Sequence, residues 1–179
     1  MSCDISRGRL EPCKDSVGGL NAVYFINKGG IAASYDASNT DVIDSLGSPT
    51  AYKFDIKGGS TYTENITSSR ENGTTTFEQV LELQLTKLTK EDHKTVKLLA
   101  FGSPTVLIED NNGNVFVAGL EHGLDVSGGT IVSGAAMGDM SGYTLTFSGM
   151  EKAPANYLND DGSASGSLAA AGVTVVAGY

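Results

Sequence analysis

Period-two alternation of apolar and polar positions dominates the chain. In "TAYKFDIKG", Tyr52, Phe54 and Ile56 fall on one face and Lys53, Asp55 and Lys57 on the other, the pattern of a half-buried antiparallel strand. "TYTENITSS" repeats it with Tyr62 and Ile66. After Asn72-Gly73, "TTTFEQVLELQLTKL" alternates Phe77, Leu81, Leu83 and Leu85 against Glu78, Glu82, Gln84 and Thr86. Asn-Gly takes the positive φ angles of a type I′ turn, so the two runs predict one long hairpin from Tyr62 to Leu85. "TVLIED", the tight "NNGN" and "VFVAG" predict a second hairpin, again with a type I′ turn. Tyr143, Leu145 and Phe147 alternate with Thr144, Thr146 and Ser148 as a further strand, and "LNAVYFIN" is apolar on both faces, as for a central strand covered on each side.

One segment breaks the strand period. Thr89 precedes Asp92 by three residues, as in a capping box with a shorter acid, and Glu91 and Asp92 sit in the first turn. Val96, Leu99 and Ala100 then share one face, and Gly102 and Pro104 stop the segment, which predicts a single helix over about 89–101. The fold class is therefore mostly β, an antiparallel β-sandwich or barrel with one flanking α-helix. At 179 residues the chain suits one domain: 1–158 as a β-sandwich with an N-terminal arm, and 159–179 as a Gly/Ser/Ala-rich linker and C-terminal arm. "NDDGSASGSLAAAG" has linker composition, and the closing "VTVVAGY" has no partner nearby in sequence, so it is expected to add to the sheet of another subunit.

Charge narrows the function. Lys plus Arg number 12 against 21 Asp plus Glu, a formal charge of −9, which repels phosphate backbones and disfavours specific nucleic-acid binding. No apolar run is long enough to span a membrane, and "MSCDISRGRL" lacks the order of a signal peptide, so an unexported chain without a membrane partner is expected. On that expectation the acceptor patterns Asn65-Ile66-Thr67 and Asn72-Gly73-Thr74 meet no glycosylation machinery.

Candidate chemistry is sparse. Cys3 and Cys13 lie far from His93 and His122 and lack the paired spacings of zinc sites, so no metal is expected and the cysteines read as reduced, partly buried thiols. His93 falls on the first turns of the helix and His122 in a Glu-His-Gly turn, both solvated or structural. Glu78 and Glu82 occupy the polar side of a strand. "EDNNGN", Glu109 to Asn114, lacks the distant bidentate Glu of a calcium loop and reads as a hairpin turn. With no G-x-S-x-G and no nucleophile-base pairing, neither catalysis nor a cofactor is expected.

The segment "GGTIVSGAAMGDMSGYTLTFSG", Gly128 to Gly149, lacks both the G-x-G-x-x-G order and the Lys-Ser/Thr ending of phosphate loops. Gly134, Gly138 and Gly142 stand four apart, as at membrane helix contacts, but Asp139 and the short apolar flanks argue against a spanning helix. The remaining reading is a bend or long hairpin where glycine permits close approach and Met137 and Met140 fill irregular gaps against another surface.

The run from Phe77 to Tyr157, with phrases such as "GAAMGDMSGYTLTFSG", resembles structural tail proteins of tailed bacteriophages. The opening "CDISRGRLEPCKDSVGGLNAVYF" is similar to those of phages infecting Bacteroidota, including the crAss-like group. The resemblance implies a tail-tube type subunit of a tube or neck that forms rings, commonly hexameric, stacked around a channel that conducts DNA as passive cargo. It places the protein in the virion, assembled in the host bacterial cytoplasm, with itself and other tail or neck proteins as partners. In that picture Thr89 to Phe101 is the lone helix, Tyr62 to Leu85 a hairpin contributing to the ring, and the terminal segments or glycine-rich loop the contacts between rings. The alternative class is a non-catalytic β-sandwich that binds a host surface or carbohydrate, for which the lack of Trp is unfavourable.

Overall fold

The computed structural model describes residues 8–11, 13–159 and 163–178. Two sheets form a sandwich, and neither closes into a barrel. The larger contains β1 (Leu20–Ile26), β2 (Ser34–Tyr35), β3 (Val42–Ser45), β4 (Thr50–Asp55), β7 (Thr105–Asp110), β8 (Val115–Ala118), β11 (Asn156–Leu158) and β12 (Thr174–Ala177), in the order β12-β4-β1-β7-β8-β11-β3-β2. The smaller joins β5 (Thr61–Ser69), β6 (Thr74–Thr86), β9 (Asp125–Val132) and β10 (Gly142–Glu151) in the order β5-β6-β10-β9, antiparallel throughout.

Strand β1 shows how sequence becomes layer. Val23 and Phe25 face the smaller sheet, packing with Leu81, Leu83, Tyr143, Leu145 and Phe147. Ala22, Tyr24 and Ile26 face the other way, into a second core with Ile43, Leu107, Val117 and Leu168. A strand buried on both faces is apolar at every position, which is why its alternation vanishes. Tyr24 is admitted because its hydroxyl donates to Glu109 Oε2 at 2.6 Å, while Asn21 Nδ2 donates to Oε1 at 2.5 Å. Burial, then the hydrogen bond to Glu109, pushes the Tyr24 phenol well above its usual range.

Helix α1 (Lys90–Phe101) matches the expected segment. Thr89 Oγ1 accepts from the Asp92 amide at 3.0 Å, and the hydroxyl donates to the Asp92 carboxylate at 2.5 Å. Val96 is buried and Leu99 partly so, whereas Ala100, Leu98 and Phe101 face solvent.

Two expectations for the C-terminal region are corrected. Residues 164–170, read as linker, form a second helix, α2 (Ala164–Ala170), capped by Ser163 Oγ accepting from Gly166 N at 3.2 Å. Ala164, Leu168 and the following Ala171 recur at helical spacing and pack into the second core. The closing segment, expected to join another subunit, is β12 of the protein's own sheet, parallel to β4 with Val175 opposite Ala51. Asp160 to Gly162, Tyr179 and the first seven residues of the N-terminal arm lie outside the described residues.

Both turn types also differ from expectation. Four residues, 70–73, connect Ser69 to Thr74, and only Gly73 among them has positive φ, at 63°. In the second hairpin Gly113 N donates to Asp110 O at 3.3 Å and Gly113 alone is left-handed, φ 87°. A type I′ turn needs two consecutive positive φ values, so neither connection is one.

Candidate functional site

The most distinctive surface is the smaller sheet. Its inward side chains, among them Tyr62, Leu81, Leu83, Tyr143 and Phe147, build the core between the sheets. Register places Thr61, Thr63 and Asn65 of β5 opposite Glu82, Val80 and Glu78 of β6, and Thr144, Thr146 and Ser148 of β10 opposite Gln84, Glu82 and Val80. The outward face thus carries hydroxyls, amides and two carboxylates, Glu78 and Glu82, with Val80 and the exposed Met150 among them. None of the four strands contains Lys or Arg.

Both edges of this sheet are open. β5 is nine residues long and β9 eight, neither carries Pro or Lys, and Ile66 (69 % exposed) and Ile131 (52 %) stand on them. Long edges without Lys or Pro guards template pairing with another strand. β9 is bulged between Val126 and Gly128 and regular from Gly128 to Val132. The glycine-rich stretch is therefore a β9–β10 hairpin. Asp139 Oδ2 organises its tip by accepting from Ala135 N at 2.9 Å and Ala136 N at 2.7 Å. The Ala136 bond, then the Ala135 bond, lowers the Asp139 pKa below the usual carboxylate value. A Cβ on Gly142 would meet Leu85 O at 2.0 Å, so only glycine lets β10 enter this close to β6. Met137 is fully exposed, while Met140 lies on Gln84, with Sδ 2.6 Å from Nε2.

The other residues singled out in the sequence scatter. His93 lies with its ring 6.4 Å from that of Tyr143. Cys13 is a free, exposed thiol rather than partly buried, and Cys3 lies outside the described residues. Asn65 and Asn72 are exposed on the β5–β6 hairpin. In "EDNNGN", Asp110 accepts from the Asn112 and Asn114 amides at 2.9 and 2.8 Å and from both side-chain amides, so its oxygens hold the turn together. Partial burial raises the Asp110 pKa, but hydrogen bonds from Asn114 and Asn112 outweigh it and leave the group below its ordinary value. A depressed carboxylate stabilises the fold above its unfolded pKa and loses that contribution as pH falls. Asp110→Asn should therefore cost about 1 kcal/mol at pH 7, a melting shift of about 2–4 °C. Melting curves at pH 7 and pH 3 check it, the difference from wild type shrinking at the lower pH.

Two features escaped sequence reading. Tyr62, Phe116 and Tyr157 form an aromatic groove of about 480 Å³ with Asp41, Glu64 and Pro154. The Tyr62 and Phe116 rings stack 6.3 Å apart, and Tyr157 meets Phe116 edge-on at 4.8 Å. Glu64 Oε1 accepts from Tyr62 Oη at 2.5 Å and from Ala155 N at 2.8 Å; burial and then that Glu64 bond push the Tyr62 phenol far up. The fold also brings Glu121 and His122 beside Glu151, a trio able to hold a metal ion. Both groupings join residues far apart in the chain, and no local spacing signals them.

Among the described residues no helix is long and apolar enough to cross a membrane. No family model matches the chain, and no curated protein or solved structure matches it significantly.

Proposed function

We propose that the protein is a structural subunit of a phage tail tube or neck, assembling into homo-oligomeric rings that conduct DNA. The supporting observation is a four-stranded sheet with two long open edges and no cation in any of its strands. Pairing β5 of one copy with β9 of the next is a head-to-tail contact, which closes into a ring when the rotation between copies divides a full turn. A closed ring of sheets removes the exposed edges that a lone subunit carries. Turned inward, the Thr, Ser, Glu78 and Glu82 face lines a bore without the Lys and Arg that anchor phosphates, so DNA passes without adhering. Such rings are commonly hexameric in the proteins the sequence resembles. The experiment is native mass determination of the purified full chain with negative-stain microscopy. Rings or tubes with a central hole are expected; a monomer at every concentration reached overturns the reading.

The aromatic groove favours a second reading, a binding module that takes a sugar ring against Tyr157 and Phe116. Glycan-array binding by a chain that stays monomeric supports this reading over the first.

A further inference from the structure

The geometry points to a binding site for a divalent first-row transition metal, Zn²⁺ being the representative ion, formed by Glu121, His122 and Glu151. Glu151 closes β10, while Glu121 and His122 occupy the turn between β8 and β9. That turn is held against β10 by close backbone approach: a Cβ on Gly149 would meet Gly123 O at 2.6 Å, and one on Gly119 would meet Gly123 C at 2.7 Å. The backbone segments that carry the donors are therefore brought together before any ion arrives.

The central ligand is Glu151, 6 % exposed. Its Oε1 accepts from Glu121 N at 3.1 Å and His122 N at 2.9 Å, which orients the carboxylate in the way outer hydrogen bonds orient metal ligands. Its Oε2 lies 3.2 Å from His122 Nδ1. Zinc bonds of about 2.0–2.2 Å to nitrogen and oxygen place tetrahedral donors roughly 3.3 Å apart, so this pair already spans one edge of a coordination polyhedron. The three ligand atoms, one from each residue, all lie within 4.8 Å of one another. Closing the last edge falls to Glu121, an exposed side chain paired with Lys152 at the surface.

A second feature supports the site. A cavity of about 60 Å³ is lined by Glu121, Glu151, Gln79 and Asn156, enough room for waters to complete the coordination shell. The neighbouring cations are Lys152, whose Nζ is 3.2 Å from Glu121 Oε2, and Lys28, whose Nζ donates to His122 O at 2.9 Å. Metal binding displaces the Lys152 pair, an exposed contact of little worth, and leaves the Lys28 bond to a carbonyl intact. One imidazole with two carboxylates suits zinc, nickel or copper better than magnesium or calcium. With water in the remaining positions, the ion would staple the turn after β8 to the end of β10.

The test uses the full chain with Cys3→Ser and Cys13→Ser, which removes thiols as competing ligands. Calorimetric titration with Zn²⁺ should show one ion per chain, and Co²⁺ should give a visible absorption band that Zn²⁺ displaces. His122→Ala and Glu121→Gln should each weaken binding about tenfold or more, and Glu121→Gln, at an exposed side chain, should leave the melting curve of the apoprotein unchanged. Absence of Zn²⁺ binding up to about 1 mM overturns the site. So does binding of undiminished affinity in both variants, or Mg²⁺ competing as well as Zn²⁺.

Discussion

Aspartate at both Ile66 and Ile131 should leave a folded monomer that no longer forms rings. The two side chains stand on opposite edges of the smaller sheet, one on β5 and one on β9, and both are exposed in the single chain. Exposed substitutions shift stability by about 0.5 kcal/mol, so the melting curve should hardly move. In a ring built by pairing β5 with β9, the same positions enter a dry contact. A buried carboxylate without a partner costs about 3 kcal/mol or more, at least a hundredfold in association at each interface. The cost recurs at every interface around a closed ring. Sedimentation velocity with parallel circular-dichroism melting reads both quantities, and rings that persist in the double variant would remove β5–β9 pairing as the assembly contact.

What could be read in the sequence tracks the range of the forces involved. β6 and β10 were legible because alternation is local: each inward residue, such as Leu81 or Phe147, sits two positions from the next. Helix α1 was legible because its cap, its acidic first turn and its stop lie within fifteen residues. Helix α2 was hidden by its own chemistry. Ala164, Leu168 and Ala171 have helical spacing, but residues this small also make linkers, and only the second core distinguishes the two. The parallel pairings β12 with β4 and β11 with β3 join segments more than a hundred residues apart, which no local pattern encodes. The turn types failed for a smaller reason: Asn-Gly permits two positive φ angles without requiring them, and the chain used Gly73 alone.

The candidate site divides along the same line. The polar face of the smaller sheet was visible in the alternation of Glu78 and Glu82 with leucines, but its open edges are a property of strand order. The Glu121, His122 and Glu151 trio needed tertiary structure twice over. Glu151 lies about thirty residues from its partners, and its burial depends on Gly149 admitting the turn. A lone Glu-His-Gly turn carries no such information.

Phe147→Ala should have the largest effect on the monomer, about 3–5 kcal/mol. Phe147 is fully buried in the interior strand β10, with Leu81 of β6 and Val126 of β9 as its flanking partners. Its ring packs 5.3 Å from Phe25 of the opposite sheet, which in turn meets Phe54 edge-on at 5.1 Å. Truncation opens a void walled by two hydrogen-bonded sheets, which relax less readily than a loop or a helix end, so the cost should fall towards the upper part of that range. Against a typical total of about 5–15 kcal/mol, the variant should melt at least 6 °C lower and unfold at markedly less denaturant. Met150→Ala, exposed on the same strand, is the control and should be nearly neutral. A loss below about 1 kcal/mol at Phe147 would mean that the two sheets do not share this core. Phe147→Ala and the edge variant should both lose rings, but only the first should lower its melting transition alongside, and that contrast separates a failure of the subunit from a failure of the contact between subunits.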